Sequence, residues 1–597
     1  MNLLHPRVYL SLAALSLLLI IPFSAGSNFV FHLFILICSY AALASAWNIV
    51  GGFAGQLSLG HAVFYGTGAY VSTLLLLHFN LSPWLGMFIG AAASTALAVL
   101  ISWPCFRLRG PFFALATIAV LEVVRLLVIN QHDLTGGATG LAVPLKLGAE
   151  WMLFRARWPY LLIAFGFLAI TLLVSWKLKH SRLGYYLIAV REREDAAQAV
   201  GVNAVKVKLI AVVLSAALTS LIGSFHAMYL TFIEPGAMFS LELSIQIAMF
   251  ALIGGLGTLS GPLIGTVIVL PLAELARGWL GDAGSGVHGL VYGLVLVAFV
   301  LTIPQGLVGR FGLRIAAWVD RLPGGQPSTT GPDTATPATP AAPGKPSPTI
   351  GQPILVAEHL HKYFGGLHAT NDVSLTLNEG EIVGVIGPNG AGKTTVFNQL
   401  SGFIQPSSGS VKVRSADGQW ITPATPAQFA VAGIGRTFQI VQPFADLSVC
   451  ENIMLGAFMH TRDPAEARQI ATQVAALTDL GALLDTRARN LTVGGMKRLE
   501  MARALASRPR VLLLDEVMAG LNPTDVAKAI EIIRRVRDTG VSVLMIEHIM
   551  QATMTLSDRI VVISTGAVLM DGDPQAVVNN PQVIEAYLGK EYNHAAA

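Results

Sequence analysis

Two folds in one chain are predicted: a polytopic α-helical membrane region of about ten spans, followed by a soluble α/β domain. Three observations predict this. Apolar residues make up 53% of the chain against only 12% charged, and they gather before about residue 320; a soluble domain carries about 25% charged residues. From Pro323 to Pro353 the composition turns to Pro, Thr, Ala, Gly and Ser. Beyond Ile354, short β-rich runs alternate with helical stretches rich in Lys, Arg and Glu, the pattern of a sheet covered by helices.

The apolar runs are Val8–Phe23, Phe29–Val50, Ala62–Leu77, Trp84–Trp103, Pro111–Ile129, Pro159–Trp176, Leu209–Leu230, Leu241–Gly257, Pro262–Ala276 and Val287–Ile303. A crossing helix takes about 17–25 residues, which most of them supply. Arg7 before an apolar run ending at Ser24, Ala25 and Gly26 also fits a signal peptide. Further spans follow at once, so a first membrane helix is the expectation. Lys177–Lys208 holds Lys177, Lys179, Arg182, Arg191, Arg193, Lys206 and Lys208, the densest basic cluster of this half. The positive-inside rule makes that loop cytoplasmic. Arg107 and Arg109, then Arg310, Arg314 and Arg321, mark the same side. An even number of spans returns both ends of the region to it.

The bulk numbers exclude several classes. A formal charge of +4 on 597 residues is too small for a nucleic-acid binder. Cys38, Cys105 and Cys450 are far apart and form no CxxC pair, which argues against a disulfide framework or a zinc site. The Pro-rich stretch cannot bury a core and reads as a tether. The expected division is 1–321 membrane region, 322–353 linker and 354–597 soluble domain.

Glu381–Thr395 reads EIVGVIGPNGAGKTT: an apolar strand, a glycine-rich loop, then a helix. This fits GxxxxGK[ST] in the strand–loop–helix setting that gives the pattern its meaning. Gly387, Pro388, Asn389, Gly390, Ala391 and Gly392 would wrap phosphates with inward N–H groups. The N-terminus of the helix beginning at Lys393, Thr394 and Thr395 would add its dipole. Lys393 suits the β- and γ-phosphates, and the Thr394 hydroxyl suits Mg²⁺. Downstream, VLLLDE at Val511–Glu516 sets Asp515 and Glu516 at a strand end, the first placed for a metal contact and the second to polarise a water. A carboxylate pair there is usually solvated surface; the fixed order of elements favours chemistry.

With these motifs in place, residues 354–590 resemble the ATP-binding cassette family. The resemblance implies ATP and Mg²⁺ as cofactors and assigns further positions. Phe364 is similar to the aromatic that stacks on adenine. Gln439, in RTFQ, resembles the glutamine that contacts Mg²⁺ and the permease. His548, in IEH, resembles the switch histidine. LTVGG at Leu491–Gly495 resembles the signature that binds a partner subunit's ATP, through Thr492, Gly494 and Gly495. It departs from the common LSGGQ in having Thr492 for Ser and Gly495 for Gln. AGLNP at Ala519–Pro523 resembles the segment joining opposed nucleotide sites. GIGRTFQ, ENIMLGAF, AGLNP and NNPQVIEAYLG together resemble the ATPase of branched-chain amino acid importers.

The first half carries the same resemblance over most of residues 30–305. WNIVGGFAGQLSLGHAVFYGTGAY at Trp47–Tyr70, RLRGPFFALAT, LTGGATGL and IGGLGTLSGPLIG are similar to the permease of those importers. Asp195, Ala196, Ala197 and Gly201 lie in DAAQAVG, which resembles the importer coupling motif with Asp in the Glu position. Read physically, it is a short cytoplasmic helix and a turn able to dock on an ATPase. Polar groups inside apolar runs, namely Gln56, Ser58, His61, Glu122 with Arg125, and Glu274 with Arg277, are pathway candidates.

The resemblance implies an amino acid importer subunit in a bacterial inner membrane, its ATPase in the cytoplasm. Implied partners are a second permease, a second ATP-binding subunit, an extracytoplasmic solute-binding protein and the lipid bilayer, with no nucleic acid. Alternatives are uptake of an amide, urea or a small acid, an exporter half, or a regulatory subunit with an inactive nucleotide site.

Overall fold

The computed structural model of the chain describes residues 6–106, 110–280, 293–294, 297–299, 301–303, 305–319, 350–415 and 417–588. Two units emerge: residues 1–191 with 205–336, and 192–204 with 337–597.

In the first unit the apolar runs become helices α1 (Pro6–Ala25), α2 (Asn28–Asn48), α3 (Ala62–Phe79), α4 (Pro83–Cys105), α5 (Pro111–Asn130), α6 (Trp158–Lys179), α7 (Ala204–Leu230), α8 (Leu241–Gly254) and α9 (Gly261–Leu280). Among the described residues seven helical spans are long and apolar enough to cross a membrane, where about ten were expected. Two shorter apolar helical stretches, Leu15–Ala25 within α1 and Gly261–Leu275 within α9, lie beside these seven among the described residues. The expected run Val287–Ile303 lies mostly outside the described residues, as do Arg107, Arg109, Arg321 and linker residues 322–349.

The glycine-rich motifs act by close packing. A Cβ on Gly68 of α3 would sit 2.2 Å from the Ser220 carbonyl oxygen of α7, and one on Gly223 would sit 2.1 Å from that of Tyr65. Only hydrogen fits at either position, so the two backbones meet directly. After α2 the chain passes through a π turn, Ile49–Phe53, and leaves helix altogether before α3. Such backbone is tolerated at membrane depth when protein encloses it. Asn48 closes it: its Nδ2 donates to the Thr258 carbonyl at 2.9 Å, and its Oδ1 accepts the Gly257 N–H at 2.9 Å. The WNIVGG and IGGLGTLSG segments thus meet through one side chain.

Four of the pathway candidates, Ser58, His61, Glu122 and Arg125, have side-chain partners. His61 is buried, with Nδ1 at 2.9 Å from Ser58 Oγ and Nε2 at 2.9 Å from Ser215 Oγ. Glu122 and Arg125 pair along the outside of α5.

The second unit is a two-sheet α/β domain. Strands β3 (Pro353–Phe364), β4 (Leu367–Asn378), β6 (Ser408–Arg414) and β7 (Trp420–Ile421) form an antiparallel sheet in the order β4-β3-β6-β7. The ribbon strands β1 (Leu141–Ala142) and β2 (Phe232–Ile233) belong to the first unit. Strands β5 (Ile382–Ile386), β8 (Ile434–Arg436), β9 (Val511–Asp515), β10 (Ser542–Ile546), β11 (Arg559–Ser564) and β12 (Ala567–Gly572) make the main sheet, ordered β12-β11-β5-β10-β9-β8. All of its neighbours are parallel except β11 and β12. Every residue of β5, β9 and β10 is buried, which is why they read as unbroken apolar runs rather than alternating ones. The chemistry-bearing residues follow the carboxyl ends of these central strands, where open α/β sheets place ligands.

Candidate functional site

Strand β5 ends at Ile386, and the loop from Gly387 to Gly392 feeds helix α10 (Lys393–Leu400). Glycine is required at both ends. A Cβ on Gly387 would fall 2.0 Å from the Ile563 carbonyl oxygen; Gly392 has φ +96°, and a Cβ there would fall 2.3 Å from that of Ala369. Asn389 and Gly390 are exposed at the loop crest, with Pro388 half-buried and Ala391 buried beneath. Lys393 folds back over the loop, its Nζ donating to the Gly387 and Pro388 carbonyls at 2.7 and 2.9 Å. Burial draws its pKa down, against the pull of Glu516 and Asp515. A bound phosphate would satisfy that ammonium better than two carbonyls. Lys393→Ala is therefore expected to weaken ATP binding by about 10–100-fold, one lost charge-assisted contact. A nucleotide titration giving unchanged affinity would remove Lys393 from the phosphate site.

Asp515 ends β9 with 1% exposure; its Oδ2 takes the Arg436 Nη2 at 3.5 Å, while Oδ1 is buried without a hydrogen-bond partner among the described residues. Burial pushes its pKa up, countered by Arg436. A buried carboxylate oxygen with an open lone pair fits a divalent cation, and the exposed Thr394 hydroxyl and the Gln439 side chain supply further oxygen donors. Glu516, next along, is held in a left-handed conformation, φ +48°, which costs a non-glycine residue about 1–3 kcal/mol and persists only where its surroundings impose it. Here two bonds do so: the Glu516 N–H donates to the Ile546 carbonyl at 2.9 Å, and Lys497 Nζ donates to the Glu516 carbonyl at 2.5 Å. The twist delivers the carboxylate to two side chains from other loops. Glu516 Oε1 accepts from Gln439 Nε2 at 3.0 Å and lies 3.1 Å from His548 Nε2.

The remaining sequence-assigned residues are placed as follows. Phe364, ending β3, is exposed, with Lys362 Nζ 5.4 Å from its ring centroid. Thr395 is half-buried in α10. Thr492 caps helix α11 (Val493–Ala506), its hydroxyl accepting the Gly495 N–H at 3.2 Å; Gly494 and Gly495 are buried in the first turn. Residues 192–204 cluster with the α/β domain. Within them Glu194–Ala199 forms a short helix carrying Asp195, with Ala196 and Ala197 fully buried, and it packs on helix Pro426–Val431. Gly201 turns with φ +81° against Met459.

Several contributors were not singled out from sequence. Against LSGGQ, Val493 is a third departure, and it is exposed. Arg436, the last residue of β8 and the first of RTFQ, also donates to Ser401 Oγ at 2.5 Å. Glu547 precedes His548; its Oε1 accepts the Met518 N–H at 2.8 Å, and its Oε2 is buried without a partner among the described residues. Burial drives the Glu547 pKa up to about 7. A carboxyl whose folded pKa exceeds its unfolded value loses folding stability as pH rises between the two. Glu547→Gln should accordingly gain stability over the parent, on the order of 2 kcal/mol, between about pH 5 and about pH 8. Parallel pH–stability curves for the two proteins would refute this.

The family description "Branched-chain amino acid transport system / permease component" matches residues 29–300. "ABC transporter" matches 370–519, and "Branched-chain amino acid ATP-binding cassette transporter" matches 567–593. The chain is 40% identical over 257 residues to the high-affinity branched-chain amino acid transport ATP-binding protein BraF of Pseudomonas aeruginosa, covering 40% of this chain and 100% of that one. LivG of Escherichia coli, bearing the same description, gives the same identity and coverage. A probable LivG of Archaeoglobus fulgidus is 35% identical over 250 residues, 40% of this chain and 96% of that one.

Proposed function

Because the chain belongs to the branched-chain amino acid ATP-binding cassette transporters, its permease and its ATP-hydrolysing domain fused in one polypeptide, we propose that it imports branched-chain amino acids across the bacterial inner membrane. The observation that carries this is the meeting of Glu516 with Gln439 and His548, in a chain whose other half matches a permease.

ATP would lie with its adenine on Phe364 and its phosphates in the 387–392 loop, against Lys393 and the first N–H groups of α10 at Thr394 and Thr395. Thr394, Gln439 and Asp515 would hold Mg²⁺, which would supply positive charge to the phosphates. Glu516 orients the attacking water and draws its proton, while Gln439 and His548 fix that carboxylate. Thr492, Gly494 and Gly495 would face the ATP of a second ATP-binding subunit. Residues 1–321 would pair with a second permease, 322–353 would be the linker, and 354–597 the cassette. Asp195, Ala196, Ala197 and Gly201 would transmit cassette movement to the membrane helices. An extracytoplasmic binding protein would deliver the solute.

The test is hydrolysis by the assembled, reconstituted complex with its binding protein loaded in turn with leucine, urea or an amide. Stimulation by leucine is expected. Stimulation by urea or the amide alone would overturn the substrate assignment, and no hydrolysis at all would point to the inactive regulatory subunit.

A further inference from the structure

The membrane unit contains a cavity of about 390 Å³ that the sequence motifs did not point to. Its volume falls in the range of about 300–1,000 Å³ typical of small-molecule sites. It lies between α2, α3, α7 and α8, and it opens beside the segment 231–240 that follows α7. Helix α7 starts at the cytoplasmic basic loop and, at 27 residues, rises about 40 Å. The mouth is therefore extracytoplasmic, the side from which an importer receives its solute.

Three kinds of group line it. Tyr40, Tyr65 and Tyr229 give an aromatic wall around His226. Leu36, Met238 and Leu243 are apolar. Glu234 and Glu242 are the acids at the rim. Glu242 sits in the first turn of α8, where an acid already serves the helix dipole. Glu234 caps the short helix Pro235–Met238 through its backbone only, and its carboxylate has no hydrogen bond or ion pair among the described residues. Its position is built: β2 pairs with β1 of the LTGGATGL segment, Leu141 opposite Ile233, and Gly140 leaves room for the Ile233 carbonyl and Glu234. Within the cavity, His226 is only 4% exposed; its Nδ1 meets the Tyr65 hydroxyl at 2.7 Å, and its Nε2 has no partner among the described residues. In the tautomer in which Tyr65 donates to Nδ1, Nε2 carries the ring proton and is a donor without an acceptor. A buried, unsatisfied donor of this kind is costly in a finished core and economical in a binding site.

We infer that this cavity is a substrate site within the permease itself. It takes a free α-amino acid with an aliphatic side chain, the ammonium on Glu234, the carboxylate on His226 Nε2, and the side chain on Leu36, Met238 and Leu243. An exposed acid and a buried donor lining one chamber with apolar and aromatic walls match a zwitterion better than urea or a simple amide, which carry no formal charges. The inference rests on the amino acid reading proposed above.

The test is leucine uptake by the assembled complex in proteoliposomes, driven by leucine-loaded binding protein, with ATP hydrolysis followed in parallel. Glu234→Gln and Ala237→Trp, both at exposed rim positions, should lower leucine uptake at least tenfold while stimulated hydrolysis continues, so that fewer leucines move per ATP. Glu234→Asp, which keeps the charge, should restore most of the uptake. Wild-type uptake by both Glu234→Gln and Ala237→Trp, in complexes that assemble normally, would overturn this site alone. Failure of the unmutated complex to move leucine would overturn the substrate reading and this site with it.

Discussion

Glu516→Gln is expected to leave ATP affinity within about twofold of the parent while lowering turnover by about 10²–10⁴-fold, the usual weight of a positioned general base. Binding survives because the phosphate contacts belong to Lys393 and the 387–392 loop, whose geometry does not involve the Glu516 side chain. The backbone twist survives too, since Lys497 and Ile546 hold the residue through main-chain atoms. An amide keeps an oxygen for Gln439 Nε2 but cannot take a proton from water. Single-turnover hydrolysis and nucleotide binding, measured on the same preparation, separate the two effects. Turnover within tenfold of the parent would move the base role elsewhere. A matching loss of affinity would show that the carboxylate also shapes the phosphate site.

How much of this was legible before the structure depended on whether a residue's role is local. The 387–395 loop was readable because strand, glycines, lysine and helix are consecutive, and the glycine requirement reappears as atoms that would collide with a Cβ. Asp515 and Glu516 were readable because a buried strand ends there. Lys497, Glu500 and Glu547 were not, because their partners lie 19, 58 and 29 residues away and no spacing rule connects them. Val493 carries no polar or backbone signal of its own beside the glycines that follow it. In the membrane half, apolar runs located the helices well. Among the described residues seven of them meet the length and composition of a membrane span, and Leu15–Ala25 and Gly261–Leu275 are shorter apolar helices. Ser58 and His61 stood out in the sequence for being polar, and the structure adds the hydrogen bond between them and one from His61 to Ser215. The unpartnered nitrogen of His226, invisible in sequence, lies in a cavity.

The second large effect is expected at Glu500, a residue with no catalytic part. Glu500 and Arg503 sit one turn apart on α11, each 2% exposed, with Arg503 Nη2 at 3.4 Å from Glu500 Oε1. Glu500 also accepts two main-chain N–H groups, from Phe438 at 3.3 Å and Gln442 at 2.6 Å. Arg503 Nη1 donates to the Gln442 carbonyl at 2.8 Å and lies over the Phe444 ring. Together they clamp both ends of the loop that carries Gln439. Burial pushes the Glu500 pKa up and the Arg503 pKa down, each opposed by the partner's charge, so neither ion is tolerable alone. Glu500→Ala strands a buried guanidinium and two amide donors, and it should destabilise the cassette by about 3–5 kcal/mol. Glu500→Met combined with Arg503→Met removes both charges and should recover much of that loss, although the two amides stay unsatisfied. Urea midpoints of the cassette transition measure the stability change. ATP hydrolysis by Glu500→Ala at low temperature, where the fold survives, reports on the loop: with Gln439 no longer held against Glu516, turnover should fall while nucleotide affinity holds. A destabilisation under about 1 kcal/mol, or a double variant weaker than Glu500→Ala, would show that the pair does not clamp the loop.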